Sequence, residues 1–171
     1  MLPHNLIKKM NAKIKHMILL DPRKIEIKLK NTGDGQGRGL DENIIRPCVI
    51  LNALGYKTRQ SCEGHVEEYG TYPWIDLIWD EESGEYYYQK SLQQFFETIF
   101  KDLEEFYKLN KKPYDSTISF SIFDDEKLII RLAHKIDSKI YGEERPIKLK
   151  EHLKEIQEFC EYLNKKYHLN Y

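Results

Sequence analysis

Residues 56–65 read Y-K-T-R-Q-S-C-E-G-H, and where this run is divided decides the fold. Its first half, residues 56–60, carries side chains that suit a pleated surface and predicts a strand. Its second half does not suit a core. Of Ser61, Cys62, Glu63, Gly64 and His65, four carry a polar side chain or none. The strand is therefore expected to end in a turn, with Gly64 free to reverse the backbone. The next run that suits a strand is W-I-D-L-I-W, residues 74–79, after a loop rich in Tyr, Gly and Pro. Two strands this close in sequence pair antiparallel.

Upstream, Asp41 stands where a helix cap belongs, before an apolar run through Ile44, Ile45, Val49, Ile50, Leu51 and Leu54. Gly55 is the expected stop. Pro47 should kink this helix or mark its start. Residues 33–39, G-D-G-Q-G-R-G, will not hold regular structure. Residues 21–31 read two ways. Asp21-Pro22 is a helix start, yet Ile25, Ile27 and Leu29 alternate as in a strand. At the N-terminus, residues 1–20 contain Leu6, Ile7, Met10, Ile14, Met17 and Ile18 at helical spacing with lysines between them. That is a basic amphipathic helix, expected to pack on its own domain.

Downstream, residues 85–110 predict a long helix with Leu92, Phe95, Phe96, Ile99, Leu103, Phe106 and Tyr107 on one face, ended by Pro113. Residues 117–123 and 127–136 predict a hairpin around Asp124-Asp125-Glu126. A last helix runs from Pro146 to about residue 167, burying Ile147, Leu149, Leu153, Ile156, Phe159, Cys160 and Leu163. His152 and His168 are expected to be exposed. The order is helix, glycine loop, helix, two strands, helix, two strands, helix. The expected fold is one α+β domain over residues 1–171: a mainly antiparallel sheet of four to five strands, covered by helices on one face.

Twenty-seven basic residues oppose 28 acidic ones, so no net field draws this chain to nucleic acid. Three cysteines far apart in sequence do not make a disulfide scaffold and suit a reducing compartment. No apolar run approaches the roughly 18 residues of a membrane span. A secretory leader is not expected, because lysines interrupt the first apolar residues. The expectation is a cytoplasmic protein that binds no membrane.

Chemistry concentrates in S-C-E-G-H. Cys62 and His65 are two residues apart, a spacing at which a tight turn aims both at one metal ion such as zinc. Zinc wants three or four ligands, so others must come from afar. Glu67, Glu68, Asp76, His134, Cys48 and Cys160 are the candidates. Alternatively Cys62 is a nucleophile with His65 as its base. Glu63 is a further candidate base, and Asp76 a third ligand or base. The bland reading is a capped turn with Cys62 packed as a small apolar residue. Gly35, Gly37 and Arg38 in the glycine loop suit an anionic ligand, held by backbone N–H groups and the guanidinium. The plain alternative is a surface loop, since Asp34 and Asp41 repel anions. His134 reads as a satisfied strand-end histidine.

The run L-N-A-L-G-Y-K-T-R-Q-S-C-E-G-H, followed by Y-P-W-I-D-L, resembles a group of uncharacterised bacterial and phage proteins. They carry an A-L-G-x-x-T-x-x-S-C-x-G-H segment and then a P-W-[IV] strand. The resemblance covers about a quarter of the chain, from Gly35 through Asp76. It implies that the glycine loop, Arg38, Cys62 and Trp74 belong together, and it implies no reaction. The S-C-E-G-H turn is also similar, more distantly, to the S-C-S-G-R turn of the tRNA wybutosine-synthesising methyltransferases. His65 stands where that turn has arginine, and the activity is not carried across. The leading expectation is a small enzyme or ligand-binding domain with a Cys62/His65 site, metal or thiolate, beside a loop for a nucleotide or other phosphorylated ligand. The rival is a non-catalytic interaction module using Tyr69, Tyr72 and Trp74, as a homodimer or with another partner.

Overall fold

A computed structural model describes residues 20–32, 39–66, 72–78, 92–111, 118–124, 129–134 and 144–171. The expected N-terminal helix, and the glycine loop with Gly35, Gly37 and Arg38, lie outside these residues. Tyr69, Glu67 and Glu68 lie outside them too.

The ambiguous segment is a helix, α1 (Pro22–Lys30). Asp21 caps it by accepting the Arg23 N–H at 3.0 Å, and Pro22 opens the first turn. Ile25 and Leu29, four residues apart, pack on the core, while Ile27 is 62% exposed. The apparent alternation was thus one helical pair plus a surface residue.

Helix α2 (Glu42–Ala53) contains Pro47 and ends in a Schellman turn. Gly55 has φ +80° and donates to the Asn52 carbonyl, and Tyr56 donates to the Leu51 carbonyl. Pro47 cannot donate to the Asn43 carbonyl, and the Gln157 amide fills that place at 2.9 Å. Strands β1 (Thr58–Cys62) and β2 (Trp74–Ile78) follow, then α3 (Leu92–Leu109), β3 (Ile118–Asp124), β4 (Ile129–His134) and α4 (Arg145–Lys166). Among the described residues these make four helices and one four-stranded sheet. Its order is β1-β2-β4-β3 with every neighbour antiparallel, an α+β arrangement. Strand β1 starts later than expected and continues through Ser61 and Cys62, so Cys62 is a strand residue and the reversal begins after it.

The sheet register sorts the residues by face. Ile75, Leu77, Ile130 and Leu132 point into the core, against Ile44, Cys48 and Leu51 of α2, Ile99, Leu103 and Phe106 of α3, and Ile156, Phe159 and Leu163 of α4. Tyr107 of α3 is buried and its hydroxyl accepts the Ile118 N–H at 2.8 Å. Between α3 and α4, the Lys166 ammonium bonds Asp102 and Glu105, and the Tyr167 hydroxyl bonds Asp102 at 2.7 Å.

Two expectations for α4 are corrected. Ile147 is 60% exposed, because the first turn of the helix projects beyond the core. His152 is buried, at 8% exposure, because it falls between Leu149 and Ile156 on the packed stripe. Among the described residues no helix is long and apolar enough to cross a membrane.

Candidate functional site

Element lengths bring distant residues together. The 12 residues of α2 rise about 18 Å. After the Gly55 turn, the five residues of β1 run back about 17 Å. Asn52 locks that turn, donating to the Thr58 hydroxyl at 2.6 Å and accepting the Thr58 N–H at 3.3 Å. The end of β1 therefore returns to the start of α2, and S-C-E-G-H lies against Asp41.

Asp41 sits at the N-cap position of α2 but makes no side-chain cap hydrogen bond. The expected cap has been handed across the chain. Glu63 Oε2 accepts the Asn43 N–H at 3.1 Å, and Asp41 Oδ2 accepts the Glu63 N–H at 3.0 Å. The pair forms a capping box split between two segments. Freed from the helix, the Asp41 carboxylate turns to His65, whose Nε2 lies 3.5 Å from Oδ2. Ligand atoms of Asp41, Cys62 and His65 all fall within 4.8 Å of one another, the one such group among the described residues.

These separations suit a metal ion. Two tetrahedral zinc ligands, N and O, stand about 3.3 Å apart, and S stands about 3.5 Å from either. The His65–Asp41 pair is already near that value. Cys62, within 4.8 Å of both, needs to close by at most about 1.3 Å. The three residues are each partly exposed, so the cluster opens to solvent on one side. Gly64 shapes it: at φ +85° a Cβ would meet Pro73 Cδ at 2.9 Å. The Gly64 N–H points at Cys62 Sγ, 3.3 Å away, a donor suited to a thiolate. Arg145, at the start of α4, donates from Nη2 to the His65 carbonyl at 3.4 Å.

Of the residues singled out in the sequence, Cys62 and His65 are brought together, and Glu63 orients their neighbour. Asp76 is elsewhere. It is 3% exposed on the sheet face opposite the core and holds Arg131 through two hydrogen bonds of 2.7 and 2.9 Å. Those bonds, with the Tyr72 hydroxyl, raise the Arg131 guanidinium above its usual range despite its burial. Trp74, the cross-strand partner of Cys62, is half-buried under that guanidinium, 4.0 Å from its ring centroid. Cys48 and Cys160 are core residues. Burial pushes the Cys48 thiol up to about 11 and the Cys160 thiol up as well, so neither is poised to ligate or attack. Asp41 and Arg145 were not foreseen. Comparison of the chain with protein-family models, with curated proteins and with solved structures gives no match.

Proposed function

We propose that this protein holds one divalent metal ion, zinc by ligand chemistry, on Asp41, Cys62 and His65, and presents its remaining coordination position to a ligand from solution. The observation that carries the reading is the convergence of three ligand types, thiol, imidazole and carboxylate, from two segments about twenty residues apart. One thiolate, one imidazole and one carboxylate is a borderline-soft donor set that suits zinc better than calcium or magnesium. Three protein ligands with an open side are the pattern of reactive zinc sites, whereas structural sites close with four. A metal so held activates water or polarises a bound oxygen. The chain's own residues do the rest. Glu63 fixes the Asp41 carboxylate, Gly64 N–H favours the thiolate, and Arg145 braces the His65 backbone. The biochemical class that follows is a small metal-dependent enzyme or ligand-binding domain.

Cobalt substitution tests this. Stoichiometric Co²⁺ binding with a thiolate-to-cobalt charge-transfer band is expected, with the band lost in Cys62→Ser and binding weakened in His65→Ala and Asp41→Ala. Binding that is indifferent to all three substitutions refutes the reading.

The Gly64 N–H to Cys62 Sγ contact favours a second reading, in which the thiolate itself is the reactive group and His65 its base. It predicts rapid alkylation of Cys62 at neutral pH in metal-free protein, slowed by His65→Ala.

A further inference from the structure

We infer that the outer face of α1 docks on the phosphate backbone of double-stranded nucleic acid. Helix α1 shares no residue with the metal cluster, so the two readings stand or fall separately.

The balance of charge over the whole chain conceals a split. Residues 1–32 hold eight basic and two acidic side chains, while residues 33–171 hold 19 basic and 26 acidic ones. Charge gathered at one end of a chain acts on a partner locally, because screening over about 10 Å hides the opposite charge farther away.

Helix α1 is the described part of that basic end, and it shows where the charge goes. Ile25 and Leu29 pack on the core, which turns Arg23, Lys24, Ile27, Lys28 and Lys30 outward, all five exposed. Glu26 is the one acid within the helix, and Lys30 holds it at 2.7 Å. Asp21, at the helix start, directs its carboxylate to the Arg23 N–H. The side chains of Arg23, Lys24 and Lys28 have no carboxylate partner among the described residues. On α4, by contrast, Lys148 is matched by Glu151 and Lys154 by Glu158. An outward face with three unmatched cations faces an anion.

The form of the face selects the anion. Lys24 and Lys28 stand about 6 Å apart along the axis, and Arg23 to Lys30 span about 10 Å. A rigid row of cations suits a polyanion of regular charge, and duplex DNA carries one charge per about 1.7 Å of its axis. Single strands are held by stacking on aromatic rings, and this face has none; its apolar member is Ile27, 62% exposed. A lipid surface takes up an apolar helix face, and that of α1, Ile25 and Leu29, is packed on the core. Contacts to phosphate alone carry no sequence preference and are sensitive to salt.

The experiment follows the fluorescence anisotropy of a short labelled DNA duplex of mixed sequence, titrated with the whole chain at stepped salt. The expected result is saturable binding whose logarithmic salt dependence has a slope of about −3, close to one unit for each of Arg23, Lys24 and Lys28. Lys24→Ala/Lys28→Ala should flatten the slope by about two, and Lys24→Glu/Lys28→Glu should weaken binding at low salt by about tenfold or more. Lys150→Glu/Lys154→Glu makes the same charge change at exposed positions of α4 and should retain most of the affinity. Thermal melts that match the wild type confirm that each variant is folded. No saturable binding to the duplex at low salt overturns the inference. So does binding that the α1 variants keep, or that the α4 variant loses equally. A single strand bound as tightly as the duplex overturns the assignment to a duplex. Vesicles of phosphatidylserine and phosphatidylcholine are the last probe: binding to them that Ile27→Ser abolishes, with none to DNA, makes α1 a lipid contact and overturns the inference.

Discussion

Replacing Glu63 by alanine separates the split capping box into its two halves. The substitution removes the carboxylate that accepts the Asn43 N–H at 3.1 Å and keeps the backbone N–H that holds Asp41 at 3.0 Å. Losing a side-chain acceptor at a helix start costs about 1 kcal/mol. Losing the negative charge beside the helix N-terminus adds roughly 0.5 kcal/mol at a partly exposed position. The total is about 1.5 kcal/mol, which for a chain of this length lowers Tm by roughly 3–6 °C. Glu63→Gln keeps an acceptor oxygen and loses only the charge, so it should fall by about a third as much. Because Glu63 also steadies the segment that bears Cys62 and His65, metal affinity should drop about tenfold in Glu63→Ala, the effect of a lost outer support. Urea unfolding of the metal-free protein gives the first quantity, and competition with a chelator gives the second. Stability unchanged in both variants would refute the cap across the chain. Metal binding abolished outright, with stability intact, would instead make Glu63 a ligand.

Gly64→Ala should destabilise by about 2 kcal/mol or more, since the backbone is left-handed there and the new Cβ meets Pro73; thermal melts of the two proteins decide it. Asp76→Ala should cost about 2 kcal/mol by leaving the half-buried Arg131 guanidinium without its carboxylate, while chelator competition should find metal affinity unchanged, because Asp76 lies outside the cluster. Acid should destabilise the protein. Glu105 and Glu161 are held below the ordinary carboxyl value of 4.5, chiefly by hydrogen bonds from Lys166 and Arg46. Their stabilisation is complete above 4.5 and is lost as pH falls from there through the lower folded values, which urea midpoints at stepped pH should trace. Alkali should act through the opposite sign. The Cys48 thiol rises from 9.0 to about 11, so stability is whole below 9 and declines as pH climbs toward 11, a decline that Cys48→Ala should reduce.

Much of the fold could be read from periodicity, because the elements are short amphipathic units whose buried faces repeat at 3.6 or 2 residues. The α3 stripe from Ile99 to Tyr107, most of the α4 stripe and the pairing of the strands follow directly. The errors have local causes. Ile27 made a helix look like a strand, since one exposed apolar residue fills the gap between a true i, i+4 pair. Ile147 shares the stripe's apolar character but is exposed in the helix's first turn, and His152 shares the stripe's position without its character. The site was half visible. Cys62 and His65 are two residues apart and declare themselves. Asp41 is 21 residues upstream of Cys62 and reads as an ordinary helix cap, because nothing local reveals that Glu63 performs the capping. A length argument could have found it: a helix of about 18 Å followed by a tight turn and a strand of about 17 Å must return to its own start. Asp76 misled in the opposite way. Its partner Arg131 lies on β4, and only the β2–β4 register shows that the two face each other.

The measurement that tests the central claim most directly is the metal content of the freshly purified protein, by elemental mass spectrometry, beside the Cys62→Ser and Asp41→Ala variants. The account predicts close to one zinc per chain, retained through gel filtration and largely lost in both variants. Metal absent from the wild-type protein, and not taken up when zinc is supplied, would contradict it. So would zinc that Asp41→Ala and Cys62→Ser keep at full occupancy.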